Sequence, residues 1–269
     1  MMLTRLVMVL LLIMLATNSV GAFNPVRLLV APHGIAGRRP LWGTIQQTSL
    51  PLARLQAAAN QAYRDTGLQP LMGVLGGSVE VQGGDGNARV VRQAKAWVRD
   101  VVVKLRLCPF AEAVFNTSSG VRYVVSPAVT TDEVWREFLR EVDHLVNHDR
   151  QEVGTTLLIA PHCMKELHDF NDFCGWLEEM IEGDEILVDR VLVACFHPKH
   201  AFHGLDEEDV LNYEKRSPHP TINLLRADMV DEYIAMGKTL GIAEHNERVL
   251  HKEGKDAVKA AFEATLALE

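Results

Sequence analysis

The first 64 residues contain no aspartate or glutamate, although six arginines fall among them. Their longest apolar run, residues 6–16, has eleven residues, whereas a membrane span needs roughly 20. A single arginine before this run and the small residues that lead to Ala22 after it are typical of a cleaved secretory signal peptide. The short run therefore argues against a membrane anchor, and we predict a signal peptide over residues 1–22.

The segment behind the predicted cleavage site, residues 23–64, is basic and carries scattered Ser, Thr and Gln, as transit peptides do. The junction at Ala22, Phe23 and Pro25 resembles the Ala-Ser-Ala-Phe-Ala-Pro type of motif of algae with complex plastids. In such proteins an ER signal is removed to expose a transit peptide that starts with Phe. The resemblance implies delivery to the plastid stroma by way of the ER, and a secreted protein is the alternative.

Cysteine is also scarce, since the chain has four and no Cys-x-x-Cys pair. This is sparse for a disulfide framework, so we expect free thiols, as suits a reducing stroma; two disulfides are the alternative if the protein is secreted. Beyond residue 64 the chain carries all 35 of its acidic residues and 21 of its 27 basic ones, which gives this part a formal charge of −14. A surface of this sign repels phosphate backbones and anionic membranes. We therefore predict no nucleic-acid partner and no membrane contact after processing.

The stretch 65–87 is rich in glycine and lacks the Gly-Lys-Ser/Thr ending of a phosphate loop, which predicts a linker. Beyond it, helical and strand patterns alternate. Helices are predicted from residue 90, from a Thr130–Glu133 capping box and from residue 167, and strands over 121–126, 155–160 and 191–196. This order predicts a single α/β domain over 88–254 with a small, mostly parallel sheet covered by crossover helices, followed by a helical tail over 255–269.

Several short blocks carry a resemblance to a known family: Leu107-Cys108-Pro109-Phe110-Ala111, Arg122-Tyr123-Val124-Val125-Ser126, Asn171-Asp172-Phe173, Phe196-His197-Pro198 and Arg216-Ser217-Pro218-His219-Pro220-Thr221. Their serial order resembles that of the mostly bacterial domain-of-unknown-function family 1415 over about residues 90–254. The resemblance implies a conserved domain and brings no established activity. His219 departs from the pattern, because an aromatic residue is expected there in many members.

Two residues are candidates for catalysis. Cys108 precedes Pro109, so it is expected to cap a helix, where a thiolate is favoured and could act as nucleophile or redox centre. His197 follows the third strand, and ligands gather at the carboxyl ends of strands, so it could serve as general base. The structural alternatives are a small buried residue at a helix junction for Cys108 and a loop-anchoring histidine for His197.

Histidine recurs at every third position over His197, His200 and His203, a spacing that could gather imidazoles around a metal ion. Pro198 and the exit from the strand spoil that geometry, and no acidic ligand pattern of a known zinc site accompanies it. We predict no metal and no cofactor.

The loop between the third strand and residue 220 is long and contains stiff prolines, and such loops often carry function. Arg216 offers a guanidinium, Ser217 and Thr221 offer hydroxyls, and a helix predicted from about residue 222 would add backbone donors for an anion. We include His219 and, from the first strand, Arg122 among the ligand-binding candidates. The structural alternative is that Arg216 pairs with a carboxylate of the domain.

The leading hypothesis is therefore a plastid domain that binds a small anionic molecule in a pocket formed by the loop after the third strand. One alternative is a thiol-dependent enzyme that uses Cys108 and His197. Another is an assembly protein whose acidic surface binds an unknown protein partner.

Overall fold

The computed structural model describes residues 85–115 and 120–269. The targeting predictions at Ala22, Phe23 and Pro25 lie outside the described residues. So does the linker predicted over 65–87, except for its last residues, which belong to the first helix.

The first predicted helix begins as α1 (Asp85–Trp97) and continues as a π-helical segment (Val98–Val103). It ends at Arg106, whose φ of 55° is left-handed. The N–H of Leu107 bonds the carbonyl of Val102 at 2.9 Å, and the N–H of Arg106 bonds that of Val103 at 3.0 Å. This pair of bonds defines a Schellman turn. The turn directs the chain into Cys108 and the short helix α2 (Pro109–Phe115).

The middle of the domain contains β1 (Val121–Val125), α3 (Thr131–Asn147) and β2 (Thr155–Ile159). The predicted capping box at the start of α3 is confirmed. The N–H of Glu133 donates to the Thr130 hydroxyl, and the Glu133 carboxylate accepts from the N–H of Thr130 at 3.1 Å. These bonds satisfy two of the donors that a helix N-terminus leaves open.

The chain then forms α4 (Leu167–Glu182) and β3 (Val191–Phe196), as the sequence predicts. A long loop with a 3₁₀ turn (Val210–Glu214) leads to the strand β4 (Thr221–Arg226). The prediction of a helix from about residue 222 is therefore wrong, and no helix N-terminus among the described residues offers backbone donors to an anion at Thr221. Three helices complete the chain: α5 (Ala227–Ala235), α6 (Ile242–Glu253) and α7 (Lys255–Leu266). Gly254, with a φ of 82°, separates α6 from α7.

The α/β class and the single domain are confirmed, but the prediction of a mostly parallel sheet is wrong. The strand order is β1-β2-β4-β3, where β1 and β2 pair in parallel and β4 pairs antiparallel with both neighbours. The connection from β2 through α4 to β3 skips one position, and β4 fills the gap. The three predicted strands do run in one direction, so β4 alone makes two of the three strand pairings antiparallel.

Helices cover both faces of the sheet, and each face has its own apolar core. Helices α3 and α4 pack on one face through residues such as Phe138 and Leu177. On the other face α1 packs with α6 and α7, and Val258 and Phe262 of α7 are buried there. The segment predicted as a helical tail thus contributes to this core. Among the helices of the described residues, none has the length and apolar character that a membrane crossing needs.

Candidate functional site

His197 lies just beyond β3 and is buried, with 1% of its surface exposed. The backbone N–H of Lys199 donates to Nδ1 at 3.1 Å, so Nδ1 is unprotonated and Nε2–H donates to the carbonyl of Met164, also at 3.1 Å. Burial lowers the pKa of the imidazole. Because both ring nitrogens are bonded to backbone, His197 anchors the loop and has no nitrogen left for a substrate.

Cys108 caps α2, as predicted: the backbone N–H groups of Phe110 and Ala111 donate to its sulfur. Burial nevertheless raises the pKa of the thiol, and this effect exceeds the opposite influence of the two N–H groups and of Lys215. The protonated thiol is therefore the resting form.

The structure does not bring Cys108 and His197 together. The His197 ring packs on Phe170 of α4, 5.1 Å between ring centroids, on the face that α3 and α4 cover. Phe196, the preceding residue, points to the opposite face and meets Trp97 at 5.2 Å. Cys108 lies on that side, in the wall of the same cavity as Phe196. The sheet therefore separates the two side chains that the thiol-enzyme hypothesis requires as a pair.

The proposed anion donors after β3 are all bonded to protein atoms. Arg216 donates to the carbonyls of His200 and Glu207 at 3.0 and 2.5 Å, and its guanidinium lies over the ring of Tyr213. The hydroxyls of Ser217 and Thr221 both donate to the carbonyl of His219, at 2.6 and 2.7 Å. These bonds shape the turn into β4.

The remaining two ligand candidates have partners in other elements. Nε2 of His219 lies 2.7 Å from Oε1 of Gln93 in α1, and burial lowers the pKa of the imidazole. Arg122 makes a bidentate pair with Glu141 of α3, at 2.7 and 3.2 Å, and both side chains are largely buried. This pair joins β1 to α3.

The histidine repeat does not form a metal site. His197 is bonded as described, and His203 is exposed. His200 is packed against Phe202, and burial beside Lys215 and Arg216 lowers its pKa to about 3. No group of three or more metal-ligating side chains occurs within residues 85–115 and 120–269.

The residue that organises this loop was missed in the sequence. Asn212 is fully buried, accepts from the N–H of Phe202 at 2.9 Å and donates to the carbonyls of Asp206 and Glu207. An asparagine in a loop is too common for its type alone to indicate this role.

A cavity of about 70 Å³ lies between α2 and the sheet. The π-helical segment, α2, all four strands and α5 contribute to its wall. The lining side chains are mostly apolar: Trp97, Val98, Val102, Cys108, Phe110, Ala111, Val114, Val121, Leu157, Phe196, Leu225, Met229 and Val230. No sequence pattern indicated this cavity, because its lining comes from so many elements.

The polar groups in the cavity wall are bonded to other protein atoms. The Thr155 hydroxyl lies 2.6 Å from Oδ1 of Asn223 and 2.7 Å from the carbonyl of Leu224. Arg226 donates to the carbonyls of Val153 and His148. The exception is the buried indole N–H of Trp97, which has no acceptor among the described residues.

Gly154 allows α2 to approach the sheet closely enough to form one wall of the cavity. A Cβ at this position would lie 3.0 Å from Cγ1 of Val114 and 3.2 Å from the carbonyl oxygen of Gly120. A larger residue would therefore push Val114 of α2 away from β2.

The structure is an α/β domain in which the antiparallel strand β4 lies between β2 and β3, the two strands of a β-α-β unit, and the cavity lies between its sheet and α2. The model of a family of unknown function, DUF1415, matches residues 89–260. The chain belongs to this family. No curated protein matches the chain, and no solved structure does.

Proposed function

We propose that the domain binds a small apolar molecule, or the apolar end of a larger one, in the cavity between α2 and the sheet. One observation carries this proposal: the cavity of about 70 Å³ has a nearly continuous apolar wall. An apolar molecule in this partly open cavity would remove the apolar wall from contact with water, which is favourable. Water in such a space would need several polar partners, which this wall does not offer, so an apolar occupant is favoured.

The chemistry of the wall narrows the class of ligand. Cys108 contributes a protonated thiol, which is a weak donor. Thr155 and Asn223 already bond each other. The indole N–H of Trp97, which has no acceptor among the described residues, offers a second donor. A ligand with at most two acceptors therefore fits this surface, because each additional polar group would lose its water and find no partner.

The anionic ligand predicted for the loop after β3 stays a prediction. Arg216, Ser217 and Thr221 are bonded to backbone carbonyls, so an anion would have to replace those bonds. An apolar ligand in the cavity requires no such exchange.

The binding test uses xenon, a small apolar probe, followed by xenon NMR and by thermal unfolding under xenon pressure. We expect saturable binding and a rise in the unfolding midpoint, since a ligand that binds the native state stabilises it. The Ala111→Leu variant fills the cavity from α2 and should abolish binding. Ala260→Leu, on an exposed position of α7, is the matched control and should bind xenon like the unchanged chain. If xenon binds equally to both variants, or to neither variant nor the unchanged chain, the cavity is not the site.

We also propose that the protein reaches the plastid stroma by way of the ER. The motif at Ala22, Phe23 and Pro25 and the acid-free segment behind it support this. A fluorescent reporter fused to residues 1–64 should enter the plastid in an alga with complex plastids, and the Phe23→Ala variant should stay in an outer compartment. Plastid import of that variant would contradict the proposal.

A further inference from the structure

Two cysteines meet where α4 packs against the edge strand β3. Cys174 is buried in the core between α4 and the sheet, and Cys195 packs against that core from β3 and is half-buried. The Cys195 thiol lies beside that of Cys174 and contributes to a raised pKa there. Both are free thiols.

The other two cysteines have different surroundings. Sulfur in Cys108 accepts from backbone N–H groups at the start of α2, on the opposite face of the sheet. Cys163 is buried and accepts from the N–H of Met164. Cys174 and Cys195 are therefore the two thiols that the fold places against each other.

Charged groups flank this pair. Burial, the largest effect, and the neighbouring Cys195 raise the pKa of the Cys174 thiol well above its ordinary value, whereas Lys215, whose ammonium lies 5.3 Å from the centre of the Phe196 ring, acts only weakly in the opposite direction. Glu178 follows Cys174 by one turn of α4, and burial raises the pKa of its carboxyl group. Cys174 therefore rests as a protonated thiol, and the Glu178 carboxyl group is the neighbour that can take up its proton.

We propose that Cys174 and Cys195 form a redox modification site, at which a low-molecular-weight disulfide such as oxidised glutathione converts the two thiols into an intramolecular disulfide. This proposal is independent of the cavity, because the pair lies on the other face of the sheet.

The exchange proceeds in two steps. Cys195, the more exposed thiol, loses its proton, and its sulfur attacks one sulfur of the external disulfide, which releases one thiolate and leaves a mixed disulfide. The sulfur of Cys174 then attacks the Cys195 sulfur and displaces the second external thiolate. The two released thiolates take up the two protons. The protein loses two electrons, and the external disulfide gains them.

The disulfide would join α4 to β3 and close the intervening loop, residues 183–190. A cross-link restricts the unfolded chain more than the folded one. Oxidation should therefore raise the midpoint of thermal unfolding and protect β3 against local opening.

The test equilibrates the full chain in buffers of reduced and oxidised glutathione and determines its mass and its titratable thiols. We expect the four thiols to fall to two, with a mass loss of two hydrogen atoms and a single midpoint. The Cys174→Ser variant should instead retain one glutathione on Cys195. The Cys195→Ser variant should not lose the two hydrogen atoms.

The Cys163→Ser variant is the matched control, because it alters another buried cysteine of the same core. It should form the disulfide with the same midpoint as the unchanged chain. If Cys174→Ser does not fold, Cys195→Ser, which changes a half-buried position, decides alone. Retention of all four thiols in the oxidising buffer, or an unchanged loss of two hydrogen atoms in Cys195→Ser, would overturn the proposal.

Discussion

The loop after β3 and the cavity beneath α2 differ in what they offer a ligand. The loop is rich in residue types that bind ligands, yet its arginine, serine, threonine and anchoring histidine are bonded to backbone atoms. The cavity wall has few such residue types but has free volume. A polar side chain is available to a ligand only if the fold leaves its hydrogen bonds unmade, and this availability depends on tertiary structure.

The two regions should therefore respond differently to substitution. Changes in the loop should lower the free energy of unfolding and leave xenon binding intact, since the loop is structural. Changes that fill the cavity should abolish binding without unfolding the domain.

The largest effect is expected for His197→Ala. This variant removes both bonds of the imidazole and leaves the buried carbonyl of Met164 and the partly buried N–H of Lys199 without their partner. Unsatisfied buried groups each cost about 1–3 kcal/mol, so we expect a loss of about 3 kcal/mol in urea denaturation.

His203→Ala is the control for His197→Ala, because this exposed histidine belongs to the same loop. Its effect should stay within about 0.5 kcal/mol. Equal effects of the two substitutions would show that His197 is not an anchor, and the contrast between the loop and the cavity would then fail.

A smaller effect of pH is expected from His200 in the same loop. Its folded pKa of about 3 lies below the unfolded value of about 6.5, since burial and the nearby Lys215 and Arg216 disfavour the charged form. The unfolded chain therefore binds the proton first. The stability is complete above pH 6.5 and declines as the pH falls from there towards 3.

The His200→Gln variant tests this dependence. Between pH 7.5 and pH 5, its free energy of unfolding should fall by roughly 1–2 kcal/mol less than that of the unchanged chain. The exposed His203→Gln variant should follow the unchanged chain. Parallel pH profiles for His200→Gln and the unchanged chain would mean that His200 titrates normally in the folded state.

The sequence predicted those elements whose signals are local. The capping box at Thr130 and Glu133 needs four consecutive residues, and β1 to β3 each have a compact apolar or β-branched run. Strand β4 was missed because Ile222, Leu224 and Leu225 fit both a helical and a strand period over so short a stretch. Its place between β2 and β3 is decided by pairing with strands distant in the chain.

The candidate site was not predicted correctly for the same reason, since its contacts join residues that are distant in the chain. Arg216 was visible as a guanidinium, but its acceptors are carbonyls nine and sixteen residues away, and no spacing rule predicts them. The cavity that Trp97 and Phe196 line was not predicted, because a cavity is a property of how elements meet. The position of Cys108 at a helix start was predictable from Pro109, whereas the burial that keeps its thiol protonated was not.

The smallest effect concerns the turn that leads into the cavity wall. Arg106 adopts a φ of 55° in the Schellman turn, a conformation that costs a residue with a Cβ roughly 1 kcal/mol and costs glycine almost nothing. Arg106→Gly should therefore raise the free energy of unfolding by up to about 1 kcal/mol, measured by urea denaturation. Arg136→Gly, at an exposed position inside α3, is the control and should lower the free energy of unfolding by about the same amount.

Because the turn keeps its hydrogen bonds, Cys108 and α2 stay in place, and xenon binding should be unchanged in Arg106→Gly. A variant that gained stability but lost xenon would show that the arginine side chain itself shapes the cavity, and the division between a structural loop and a binding cavity would then have to include this turn.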